Sequence, residues 1–143
     1  MPKVAIHLSF NGDCAEAFAH YARVTGGSMG FKMTYAESPM AGTVPEGERG
    51  RVMHASLMIP VNGGNFRLMG ADAVTGHPYS AGNGYAVSLD YPSVEEAERA
   101  FNALAEGGFT IMPFAPTFWA KGFGMTKDRF GITWMVGSEQ APA

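Results

Sequence analysis

The chain has 143 residues, 46% of them hydrophobic and 16% charged, with a formal net charge of −3. That length suits one domain or two small fused modules, and the apolar fraction supports a sizeable core rather than a disordered chain. The ten Lys and Arg are scattered, so no basic face exists to neutralise nucleic-acid phosphates or to meet an anionic membrane.

The opening "MPKVAIHLSFNG" has no apolar signal core, and no run reaches transmembrane length, so a cytoplasmic protein is expected. Val4–Phe10 alternates and predicts a half-buried strand. Val4, Ile6, Leu8 and Phe10 share one face, with Ala5, His7 and Ser9 on the other. Asp13–Thr25 predicts an amphipathic helix with Asp13 and Glu16 as a capping box, an apolar stripe at Ala17, Tyr21 and Val24, and glycines at its end. Cys14 is the one cysteine, which excludes a disulfide framework or Cys-based zinc site within the chain. A helix start favours a thiolate there; the plainer expectation is a small semi-buried residue. Strand-like runs follow at Gly30–Tyr35, Val52–Ile59 and Asn65–Met69. The Met40–Gly50 loop between the first two is rich in Gly, Pro and charge and is expected to be exposed and mobile.

The same order then recurs. Tyr85–Tyr91 alternates like Val4–Phe10, which makes Ser88 the counterpart of His7. Ser93–Glu106 predicts a second helix, with Ser93 and Glu96 as capping box and Ala97, Phe101 and Leu104 as its stripe. Three more strands are expected at Thr110–Thr117, Gly122–Lys127 and Ile132–Val136. The predicted class is α+β, a single domain over 1–143. It comprises a βαβββ module at about 1–72, a linker at about 73–84 and a second βαβββ module at about 85–137. One face of each sheet takes its helix, and pairing two modules makes a cupped mixed sheet whose concave side is a cavity.

Several stretches carry a family resemblance: "FNGDCAEAFAHYARVTGG", "VMHASLMI", "LMGAD", "SVEEAERAFNALAEGG" and "PTFWAKGFGMTKDRFGITWMV". With the doubled βαβββ plan, they resemble the PhnB-like branch of the vicinal oxygen chelate superfamily, which includes glyoxalase I, extradiol dioxygenases and bleomycin- and fosfomycin-resistance proteins. The resemblance implies a homodimer with a cytoplasmic small-molecule site. It also brings a demethylubiquinone methyltransferase label that the residues do not support. The nearest Gly-rich turn, "AGNGYAV", precedes a predicted strand, whereas a methyl-donor cradle of the usual kind leads into a helix.

Metal-using members of the superfamily take His, Glu or Gln ligands from the first and last strands of each module. Those points map to His7, to Leu68 or Met69, to Ser88, and to Trp134 or Met135. Only His7 suits a divalent ion, so no metal or other cofactor is expected. A repositioned divalent-metal site would use His7 and His54 on neighbouring strands, with Asp90 or a water. Against it, a strand His is more often a hydrogen-bonded wall residue. His20 is read as a surface or rim residue, and His77 as a solvated linker residue.

The segment Phe118–Val136 is too rich in aromatics for one strand face to bury them all. Phe118, Trp119, Phe123, Met125, Trp134 and Met135 are read as the wall of an apolar cavity, together with core and subunit contacts. Lys121 supplies a cation and Ser88 a polar partner. Asp128, Arg129 and Gly131 are read as structural turn residues. The expected function is a metal-free, small-molecule-binding protein, with an antibiotic or a metabolite as ligand. The alternative is a lyase-, transferase- or oxygenase-type enzyme on a small carbonyl, epoxide or aromatic substrate, using His7 or His54 as general base or metal ligand. A role in partner binding, with the cavity filled by side chains, ranks third.

Overall fold

The computed structural model describes residues 1–76 and 79–138, so His77 lies outside the described residues. The chain divides into two compact units, Met1–Ser80 and a second beginning at Ala81.

The first unit contains β1 (Ile6–Phe10), α1 (Cys14–Thr25), β2 (Ser28–Thr34), β3 (Val52–Val61) and β4 (Gly64–Asp72). Its sheet runs β1-β4-β3-β2, with β1 parallel to β4 and the other pairs antiparallel. The second unit contains β5 (Val87–Tyr91), α2 (Val94–Ala105), β6 (Phe109–Ala115), β7 (Phe123–Lys127) and β8 (Thr133–Ser138). Its sheet repeats the order as β5-β8-β7-β6, with β5 parallel to β8. The expected βαβββ repeat is therefore present.

Each helix covers one face of its own sheet. α1 buries Cys14, Ala17, Phe18 and Tyr21, and Phe18 meets Phe10 edge-on at 5.8 Å. Gly70 permits the close approach: a Cβ there would stand 2.8 Å from the Phe18 ring. α2 buries Ala97, Ala100, Phe101 and Leu104, and Phe101 lies so close over β7 that a Cβ on Gly124 would come within 2.6 Å of it. Fully burying one such Phe is worth about 1.5–3 kcal/mol. Leu8, Phe10, Ala55, Leu57 and Leu68 complete the first core, and Trp134, Val136 and Ile132 the second.

The two helix starts differ. Ser93 caps α2 as expected, its hydroxyl accepting from the Glu96 amide at 3.2 Å. Asp13 makes no side-chain cap on α1. That work falls to Asp72 at the end of β4, whose Oδ1 accepts from the amides of Gly12 at 2.9 Å and Cys14 at 3.0 Å. Its Oδ2 accepts from the Val52 amide at 2.9 Å. The parallel pairing of β1 with β4 sets Asp72 opposite Phe10 and hence beside the helix start. α1 ends at Gly26 in the left-handed region, with φ of +74°. α2 instead has extended Glu106 at its end, followed by Gly107 with positive φ.

Two strand ends are shorter than the alternation predicts. Val4 and Tyr85 both precede their strands and are exposed. The Met40–Gly50 loop contains two 3-10 turns, Ala41–Thr43 and Glu46–Glu48, and buries Val44. Glu48 ties it down, accepting from the amide and hydroxyl of Thr75 at 2.8 and 2.7 Å. No helix among the described residues is long and apolar enough to cross a membrane.

Candidate functional site

With each helix on one face, the chemistry available to ligands lies on the other. On β1, Leu8 and Phe10 point to α1 and are buried, so His7 and Ser9 face the open side. His7 stands opposite Met69 on β4, and Met69 stands opposite Ser56 on β3. Ser56 is committed to the fold. Its hydroxyl accepts from the Phe31 amide at 3.0 Å, beneath Gly30, where a Cβ would come within 2.6 Å of it.

His54 lies on β3 beside Phe31, with ring centroids 5.9 Å apart. The expectation that His7 and His54 occupy neighbouring strands is not met, because β4 lies between β1 and β3. The pairing of β1 with the last strand of its module, rather than with β3, separates them. They still interact: burial pushes the His7 pKa down from its ordinary value, and the charge of His54 lowers it further.

An open cleft of about 480 Å³ lies in the first unit, lined by His7, Ser9, Tyr35, Ala71, Asp72, Ala73, Gly76 and Ser80. Its wall is mixed polar and apolar. Asp72 offers little to a ligand, since both carboxylate oxygens already accept backbone amides. The hydrogen-bonding groups presented are His7, Ser9, Tyr35 and Ser80. Ser9 was legible in the sequence as the strand neighbour of His7 at i+2. Tyr35 ended the predicted run Gly30–Tyr35 but lies just beyond β2, and Ser80 falls in the predicted linker, so neither was singled out for the cleft.

The predicted wall residues all belong to the second unit and separate into three groups. Ser88, Met135 and Met125 form a row on the open face, as successive partners across β5, β8 and β7. Phe118, Trp119 and Phe123 form an aromatic cluster, with centroids 4.8 Å apart for the first pair and 5.3 Å for the second. Phe118 and Trp119 are exposed while Phe123 is buried; Lys121 is exposed nearby in the chain. Trp134 stands apart from both. It lies fully buried on the α2 side, its indole donating to Asp128 at 2.9 Å. Of the two β8 positions weighed as the last ligand point, Met135 is the one in register with Ser88.

The strand positions to which the resemblance maps metal ligands hold His7 with Met69 in one module and Ser88 with Met135 in the other. Neither pair, an imidazole with a thioether or a hydroxyl with a thioether, supplies a donor set suited to a hard or borderline divalent ion. Asp90 and His54 belong to different units. Among the described residues no group of three or more His, Cys, Asp or Glu is placed to hold a metal ion. Cys14 is buried, and desolvation, with the charges of Asp72 and Asp13 adding, pushes its thiol up to about 12. The residue is thus packed in the core, more deeply than the semi-buried position expected.

The chain resembles Protein YjdN of Escherichia coli K12, at 31% identity over 137 residues, covering 91% of this chain and 90% of that protein. Among solved structures it resembles protein PA1353 from Pseudomonas aeruginosa, at 42% identity and a TM-score of 0.84, covering 98% and 99% of the two chains. It also resembles a putative 3-demethylubiquinone-9 3-methyltransferase, PhnB protein, from Bacillus cereus, at 25% identity and a TM-score of 0.77, covering 96% and 99%. The two-module architecture is shared, as a fold, with a solved glyoxylase/bleomycin resistance protein/dioxygenase domain. The model of the family described as 3-demethylubiquinone-9 3-methyltransferase matches residues 2–137, and the chain belongs to that PhnB-like family.

Proposed function

We propose that this chain binds a small organic molecule on the open face of its first module, without a divalent metal. The observation that carries the reading is the cleft of about 480 Å³, with His7 at its wall and neutral hydrogen-bonding groups around it. Its depressed pKa leaves the His7 imidazole neutral at pH 7, able to donate from one nitrogen and accept at the other. Exposed Phe118 and Trp119 supply apolar area in the second module for ligand or subunit contact, in line with a homodimer. The methyltransferase description of the family does not carry over to a mechanism. The Gly-rich stretch before Val87 runs into β5, so it has no helix N-terminus at which to hold a methyl donor.

A second reading is favoured by the same imidazole. A neutral His at a cleft wall is in the state a general base needs, so an enzyme abstracting a proton from a small carbonyl-type substrate fits the geometry. Thermal-shift screening of antibiotics and metabolites, on wild type and His7→Ala, tests binding. Hits that vanish in the folded variant support this site. Hits untouched by the variant place the ligand elsewhere. Turnover of a hit, with a pH–rate limb below 6.5 that His7→Ala removes, would favour the enzyme. Near-stoichiometric divalent metal in protein purified without a tag, lost on replacing His7 and His54, would overturn the metal-free reading.

A further inference from the structure

We propose that Met112, Met125 and Met135 form a binding site for a soft monovalent cation, Cu(I) or its surrogate Ag(I), on the open face of the second module. The site belongs to the other module and does not depend on the reading of the His7 cleft. Met125 is the direct partner of Met135 across β7 and β8, and Met112 is the direct partner of Met125 across β6 and β7. Three thioethers therefore stand side by side on three adjacent strands.

The face is set by the neighbours. Gly124 and Trp134 lie under α2, the one against Phe101 and the other fully buried, so Met125 and Met135 point away from the helix. Met112 joins them through an irregular strand. Thr110 partners buried Thr126, and Phe114 packs on Phe101 at 5.7 Å; both face α2. Simple alternation would turn Met112 the same way. Instead β6 shifts register on both sides of Met112, which places it opposite Met125. Bulges re-aim side chains in this manner, often next to functional sites.

Directly opposed residues on neighbouring strands have Cβ atoms about 4.5–5.5 Å apart. The unbranched Met side chain, with three rotatable bonds, lets outer sulfurs lean toward the central one. Thioether sulfur is a soft ligand suited to Cu(I) and unsuited to hard divalent ions. The three residues are half-buried or exposed, so an ion has access. The counterparts of Met135 and Met125 in the first module are Met69 on β4 and Ser56 on β3, a pair that offers one thioether and serves as an internal control. The Cys14 thiol is buried and stays protonated at neutral pH, so it is a poor competitor.

The test is anaerobic titration of the full chain with Cu(I) against a chromophoric chelator, paired with Ag(I) titration followed through the Met ε-methyl NMR signals. One equivalent of Cu(I) withheld from the chelator is expected, with the methyls of Met112, Met125 and Met135 shifting together and that of Met69 unmoved. Met125→Leu, nearly isosteric, should abolish retention, and Met112→Leu, on the outermost strand, should weaken it at least tenfold without disturbing the fold. Failure of wild type to withhold Cu(I), retention unchanged in either folded variant, or shifts confined to other Met residues would each overturn the proposal.

Discussion

The indole of Trp134 donates to Oδ2 of Asp128 at 2.9 Å, and both residues are buried. Oδ1 of the same carboxylate accepts from the amides of Phe130 and Ile132, each at 2.9 Å. One side chain thus closes the turn between β7 and β8 and fastens the largest core residue of the second module to it. Arg129 lies over the Phe130 ring at 4.4 Å. The aromatic-rich segment therefore divides by face: Trp134 serves the core, while Met125 and Met135 serve the open side.

Asp128→Ala removes the hydrogen bonds accepted from Phe130, Ile132 and Trp134 and leaves these buried donors without that partner. At about 1 kcal/mol or more for each such donor, a loss of about 3 kcal/mol is expected. Trp134→Phe removes one donor and some packing and should cost about 2 kcal/mol. Urea unfolding of the two single variants and the double variant should give a coupling of about 1 kcal/mol or more. Strict additivity would mean that the two side chains do not cooperate.

Asp72 plays the corresponding part in the first module by a different route, stitching together the loop before α1, the start of α1 and the start of β3. Asp72→Ala should destabilise by about 3 kcal/mol, while Asp13→Ala should be nearly neutral despite its position at the helix start. Chemical denaturation compares them directly. A larger loss for Asp13→Ala would restore the local capping box.

His7 carries a pH signature. Its folded pKa lies below the ordinary 6.5, so between these values the unfolded chain binds more protons and stability rises with pH. The contribution is complete above 6.5 and is lost as pH falls through the folded value. His7→Gln should flatten the stability–pH curve in that window. His54→Gln should move the His7 imidazole titration, followed by NMR, upward, but only part of the way, because burial is the larger cause. No movement would show that the two imidazoles are electrostatically independent.

Cys14 should be inert. With the thiol buried and its pKa pushed up to about 12, a thiol reagent at pH 8 should react only as fast as the first module opens. Denaturant should then release full reactivity. Rapid labelling of the native protein would contradict the packing of α1 on β4.

Most of the fold was legible in the residues. Period-two alternation, the stripes of both helices and their terminal glycines are local signals that survive in the structure, except that Val4 and Tyr85 precede their strands and are exposed and that Asp13 makes no cap on α1. The site was less legible. His7, Ser88 and the open faces followed from alternation. Distances did not, because they depend on strand order: β4 inserts between β1 and β3 and parts His7 from His54. Trp134 and Met135 were interchangeable until register set one against Val87 and the other against Ser88. Tyr35, at the end of a predicted strand run, and Ser80, in the predicted linker, reach the cleft from just outside the strands, which periodicity alone does not foretell.

The amino-acid sequence by itself determined the doubled βαβββ plan and which face of each strand is apolar, since helix and strand periods are properties of neighbouring residues. Tertiary structure alone decided what those faces hold. Asp72 reaches α1 across 58 residues of chain, and two irregularities in β6 turn Met112 toward Met125. Both depend on which strands lie side by side and in what register. That choice is made by burial and backbone hydrogen bonding summed over the whole sheet, and no short stretch of residues encodes it.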